Sequence, residues 1–220
     1  MKPTTRALAE IEGIQRHLEA IYCLELPQRA SDFVIGDQEL SDLVDEGRVP
    51  AALVQTHEQL LVSHHDEELS VALYLSDTVC EQLRSSPSLQ SHCHATEGVS
   101  HFLMLLWATR QNRPVRLLDL ELQAEVDKAS TCLLLDLGST GGAGARGLLD
   151  RLFAAPVLEA HLCEEERERY LHAHRLAARY ARYLSACLEG GVDALLSELR
   201  LFYRLSMEAK RCRAREVRAA

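Results

Sequence analysis

From Pro87 to the C-terminus, apolar residues recur three and four positions apart, with breaks at Arg113-Pro114, at the glycines of 138–147 and at Gly190-Gly191. That period puts successive apolar side chains on one helical face, so most of this chain can fold only as packed helices. The pattern predicts a helix over Leu89–Gln111, a second opened by Pro114 and running to Leu137, and a long one over Glu164–Leu188. Two more, Asp193–Leu205 and Ser206–Arg218, complete the chain. At the N-terminus, Thr4 or Thr5 caps a helix that carries Leu8, Ile11, Ile14, Leu18 and Ile21 and ends before Pro27.

Between these helical regions the period changes. Gln28–Pro50 is acidic and irregular, with Gly36 and Gly47 as breakers. AALVQTH, LLVSHH and LSVALYL are short β-rich runs, the last two separated by the acidic turn Asp66-Glu67-Glu68. They predict an antiparallel meander over 51–75, followed by a short helix capped by Ser76 or Asp77 and reaching Arg84. The expected fold is therefore α+β, a small antiparallel β-meander near the N-terminus with a dominant helical bundle. A single domain is expected: 1–85 as N-terminal helix plus sheet, 86–137 as a helical hairpin, 138–147 as a Gly-rich connection and 148–220 as C-terminal helices.

With 47% hydrophobic residues among 220, the chain can build its core without disulfides or metal. A net charge of −9 argues against general affinity for nucleic acid or anionic membrane, both of which demand a positive surface. The basic tail, with Lys210, Arg211, Arg213, Arg215 and Arg218 against Glu216, is the exception and reads as a frayed, solvated helix end. Seven cysteines, odd in number and scattered without a C-x-x-C pair, suit buried thiols in a reducing compartment. MKPTTRALAEIEG lacks the apolar core of a signal peptide, and no window approaches the roughly 18 apolar residues of a membrane span. The expectation is a soluble cytoplasmic protein with a protein partner, no membrane, and no nucleic acid except through that tail.

LLLDLGSTGGAGARGLLDRLF, residues 133–153, contains Gly142-x-Gly144-x-x-Gly147. A dinucleotide fingerprint needs its glycines after a strand and at the opening of a helix, where pyrophosphate meets the free N–H groups. LDLGSTGG is also similar to the first motif of the methyltransferases, which likewise follows a strand. Here Val115, Leu118, Leu122, Val126, Ala129 and Leu133 share one helical face, so LLLDL ends a helix. No β-rich run follows Gly147 to receive a crossover, and the segment reads as a helix-to-helix connection without a cofactor.

The polar residues inside apolar helices are more informative. His94, Glu97 and His101 form a stripe along a helix apolar on both sides. Glu121, Glu125, Lys128 and Cys132 flank the apolar face of the next helix. On the long C-terminal helix His174 shares an alanine-rich face with Tyr170, Ala177, Ala178, Ala181 and Leu188, whereas His172 lies with Arg175, Arg179 and Arg182 on the polar side. Buried carboxylates and imidazoles need partners to offset desolvation. His94, Glu97, His101, Glu121, Glu125 and His174 are accordingly candidate ligands for a divalent metal ion, which would activate water, or dioxygen if it were iron. The Glu-x-x-His repeat of di-iron bundles is absent. The same residues can also satisfy one another, Glu97 with His101 and Glu125 with Lys128, and fix helix register without chemistry.

Weaker signals are Arg169-x-x-x-x-His174, whose side chains diverge by about 140° around a helix, and His57, His64 and His65 on the expected sheet. Ser130, Ser139 and Ser185 lack the setting of a nucleophile. Two functions follow as expectations: a non-catalytic interaction or regulatory module, or a metal-dependent or acid/base enzyme using the six inward residues.

Overall fold

In the computed structural model, which describes residues 4–65, 68–140, 144–154, 158 and 162–217, helix α1 spans Thr5–Tyr22. Its cap is Thr4, whose Oγ1 accepts from the Ala7 N–H at 3.4 Å. The chain forms two compact units, and α1 contributes to both. One unit holds residues up to Arg16 together with Leu26–Asn112, the other His17–Glu25 together with the chain from Arg113 onward.

In the first unit the expected α+β character is present, but the sheet is mixed. Its strands are β1 (Val34–Ile35), β2 (Glu58–His65) and β3 (Glu68–Leu75), in the order β1-β3-β2. Between β1 and β2 lies helix α2 (Asp37–Asp45), and α3 (Asp77–Ser85) and α4 (Leu89–Arg110) follow the sheet. β2 and β3 pair antiparallel with Leu60 opposite Leu73 and Val62 opposite Val71, as LLVSHH and LSVALYL predict. Of the expected turn, Asp66 and Glu67 lie outside the described residues, and Glu68 opens β3.

AALVQTH is not a strand. Ala51–Gln55 winds into a 3-10 turn, because Pro50 fixes its entry and two alanines offer little β preference. The Thr56 hydroxyl closes that turn by donating to the Leu53 carbonyl at 2.8 Å. The free edge of β3 is filled instead by the β-branched pair Val34-Ile35, running parallel to it. Helix α2 lies in the stretch read as irregular; Leu40 is its one buried residue, too little for a periodic signal. Asp37 anchors it, accepting from the Tyr74 hydroxyl at 2.9 Å and the Asp77 N–H at 3.1 Å.

Helix α4 packs on β2 and β3. Gly98 allows the approach, since a Cβ there would lie 2.7 Å from Leu73 Cδ1 and 3.0 Å from Glu58 Cγ. Phe102 meets Phe33 with ring centroids 5.1 Å apart. Buried Gln15 of α1 ties down the following loop, taking the Ala30 N–H at 2.7 Å and giving a hydrogen bond to the Gln28 carbonyl at 2.9 Å.

The second unit is helical: α5 (Leu117–Thr140), α6 (Ala145–Leu152), α7 (Glu164–Glu189), α8 (Val192–Arg204) and α9 (Met207–Glu216). LLLDL is helical as expected but does not end the helix, since α5 continues through Gly138 to Thr140. A lone glycine costs a helix only about 1 kcal/mol, which the buried Leu122, Val126, Ala129 and Leu133 upstream offset. Within the Gly-rich stretch, 141–143 lie outside the described residues, and Asp136 Oδ2 accepts from the Gly144 N–H at 3.1 Å where α6 begins. Gly191, at φ +107°, takes a left-handed conformation between α7 and α8 that other residues adopt with strain.

Helix α7 packs against α5, α6, α8 and α9. Its alanines 173, 177 and 181 are fully buried and permit the close approach expected of that face. Tyr180 stacks on Phe202 with centroids 4.1 Å apart, and Tyr22 of α1 stacks on Tyr203 at 4.2 Å. The basic tail is not a frayed end. Lys210 is wholly buried and donates to Gln123 Oε1 at 2.7 Å. Arg213 clamps Glu198 through Nε at 2.9 Å and a terminal nitrogen at 2.6 Å. Arg218 lies outside the described residues.

Candidate functional site

The six inward residues divide evenly between the units: His94, Glu97 and His101 on α4 in the first, Glu121 and Glu125 on α5 and His174 on α7 in the second.

In the first unit the α4 stripe faces the start of β2. His101 Nδ1 lies 3.3 Å from Glu58 Oε1, and both side chains are 8% exposed. Glu97 and His101 offer donor atoms within 4.8 Å of one another. One turn toward the N-terminus, the His94 ring meets that of His57 at 4.9 Å between centroids. Sequence reasoning placed His57 on the sheet without a partner and passed over Glu58. The available signal was alternation: Glu58 shares a strand face with buried Leu60, an unusual place for a carboxylate. His64 pairs in register with Leu69 and His65 with Glu68.

In the second unit Glu125 is held from two sides. Lys128 Nζ reaches its Oε1 at 2.6 Å, the i,i+3 pair that the sequence offers. His174 Nδ1 lies 3.2 Å from its other oxygen. Burial alone would raise the Glu125 carboxyl, but Lys128 and His174 together outweigh it and bring the group down to about 2. The His174 ring packs on Phe153 at 5.2 Å. Glu121 and Cys132 of the same α5 stripe are buried.

A third constellation lies on the outer side of α7, where a cleft of about 550 Å³ opens beside α5 and α9. Arg169, His172 and Arg175 of α7 and Arg211 of α9 line it, with Glu165 and Glu168 at the N-terminal end of α7 and Leu118 of α5. Burial, then the guanidiniums of Arg211, Arg215 and Arg175, lower His172 from the ordinary imidazole range and favour its neutral form. The α7 face was legible, since His172 and Arg175 fall together on its polar side. Arg211 was missed because a basic run at a chain end carries no sign of where its helix docks. Arg169, read with His174 as a diverging pair, does diverge from it: His174 turns to Glu125 and Arg169 to the cleft.

Comparison with family models, curated proteins and solved structures finds no match for this chain.

Proposed function

We propose that the protein is a non-catalytic interaction module whose inward carboxylates and imidazoles fix helix packing, and that it works in the cytoplasm on a protein partner. The observation that carries this is the state of Glu125. Both its oxygens are engaged, by Lys128 and His174, and its carboxyl is held at about 2. A general base performs best with a pKa near the working pH, which Glu125 lacks, and Lys128 already supplies beside it the positive charge that a metal ion would bring. The overall acidic charge of −9 and the scattered cysteines agree with a soluble protein of a reducing compartment.

The second reading, a metal-dependent enzyme, has a specific observation in its favour. A carboxylate behind one nitrogen of a histidine is the usual support for a metal-bound imidazole, and Glu58 stands so behind His101, with Glu97 close by. Metal content by mass spectrometry on untagged protein separates the two. The module reading expects substoichiometric zinc, manganese and iron, and variants Glu97→Gln and His101→Ala that fold but melt lower. About one ion per chain, lost in both variants, would replace it with the enzyme reading.

A further inference from the structure

Three nitrogens in the cleft between α5, α7 and α9 are buried and lack a hydrogen-bond partner among the described residues: Arg169 Nε, His172 Nε2 and Arg211 Nε. An Arg Nε–H is always a donor, and a charged donor left unmet costs more than a neutral one. Other arginines of this unit do find acceptors: Arg213 at Glu198, Arg200 at the Ile21 carbonyl and Arg204 at the Tyr22 carbonyl. Among the described residues, the two buried guanidinium donors without an acceptor thus lie in one place, supplied by two different helices.

Charge points the same way. Arg169, Arg175 and Arg211 stand against Glu165 and Glu168 around the cleft, a local positive excess in a chain of net charge −9. The two carboxylates sit in the first turns of α7, where the helix dipole favours them, His172, Arg169 and Arg175 occupy the adjoining turns, and Arg211 comes from α9. Three guanidiniums against two carboxylates leave a positive charge uncompensated, and guanidiniums that line one cleft repel one another. An oxyanion would relieve that repulsion and accept from the unmet N–H groups at once. The volume of about 550 Å³ falls within the range of clefts that take small ligands.

We infer that this cleft is a binding site for a phosphoryl group, received by Arg169, His172, Arg175 and Arg211. It rests on the interaction-module reading and gives that module its recognition chemistry. The phosphoryl group can come from a small phosphorylated molecule or from a phosphorylated side chain of the partner. Guanidinium forks match phosphate oxygens two at a time, whereas a carboxylate offers fewer acceptors for the same donors.

The test is calorimetric titration of the full chain with pyrophosphate, with inorganic phosphate and with a phosphoserine peptide beside its unphosphorylated form. Arg169→Ala, Arg211→Ala and Arg175→Ala are run in parallel, with Arg48→Ala as a control; Arg48 is exposed and paired with Glu46 in the first unit. Arg175 is itself exposed, so its variant keeps the fold even if the others melt. Saturable binding weakened on the order of ten-fold or more by each cleft variant, and unchanged in Arg48→Ala, is expected from the loss of a charge-assisted hydrogen bond. His172 ring resonances should shift on addition of the ligand that binds. A preference for the phosphopeptide assigns the source to the partner, and equal or better binding of pyrophosphate assigns it to a small molecule. No saturation by any of the three at millimolar concentration, or equal weakening in Arg48→Ala, overturns the site. Metal content decides the module reading independently, so either can fail without the other.

Discussion

Lys210 has no exposed surface, yet it sits four residues into a helix that reads as a solvated tail. Its ammonium donates to Gln123 and lies 5.4 Å and 5.6 Å from the ring centroids of Phe202 and Tyr203. Gln123 in turn donates to Asp127 Oδ1 at 2.8 Å and to the Tyr22 hydroxyl at 3.2 Å, and that hydroxyl donates to Asp127. Burial lowers Lys210 to about 8, against the pull of Asp127 and Asp119 and with the push of Arg113. Between about 8 and the ordinary 10.5, the unfolded chain holds a proton that the folded chain has released. Stability therefore rises with pH across that window, by a few kcal/mol in total. Burial holds the Cys80 thiol above 9 and the Tyr22 and Tyr203 hydroxyls above 10, and these oppose the rise at the upper end of the window. Urea denaturation at about pH 8 and about pH 9 should therefore show the rise in the wild type and lose it in Lys210→Met. A rise that persists in the variant would assign it elsewhere. Composition could not have shown this residue: a lysine in KRCRAR is indistinguishable from its exposed neighbours until α9 is docked.

Element boundaries were more legible than element partners. The helices α1, α7 and α8 follow their apolar period to within a few residues, because each buries a continuous stripe, and α4 does so although it is buried on both sides. The sheet was legible as a hairpin and mistaken in its third strand, because Val34-Ile35 is too short for any period to register. The inward set shows the same limit. Periodicity assigned His94, Glu97 and His101 to one face of α4, but not Glu58 and His57 as what that face meets, since strand-to-helix contacts join residues far apart in sequence. Gly98 marks that contact from the helix side. Gly98→Ala should gain helix propensity and still destabilise, by about 1–3 kcal/mol, because its methyl group would press on Leu73 and Glu58. A thermal melt equal to or above that of the wild type would mean that the sheet yields at no cost.

For the molecule as a whole, the decisive fact is that α1 serves both units. Leu18, Ile21 and Tyr22 are buried, and Arg200 and Arg204 donate to the Ile21 and Tyr22 carbonyls at 2.8 Å. A chain of residues 113–220 lacks all of these, with Tyr203 losing its stacked ring and Asp127 its hydroxyl donor. It should show helical circular dichroism without a cooperative melt, and regain one when a peptide of residues 4–25 is added. Cooperative unfolding of the shorter chain by itself would refute this. The same arrangement sets an order of events on the ribosome. The first unit is fully synthesised by Asn112, but the second half of α1 must wait for α8. At about 5–20 residues per second that wait lasts roughly 5–20 s. Throughout it, three large side chains of the nascent chain stay without their final cover, an interval in which a chaperone gains most by holding the N-terminus.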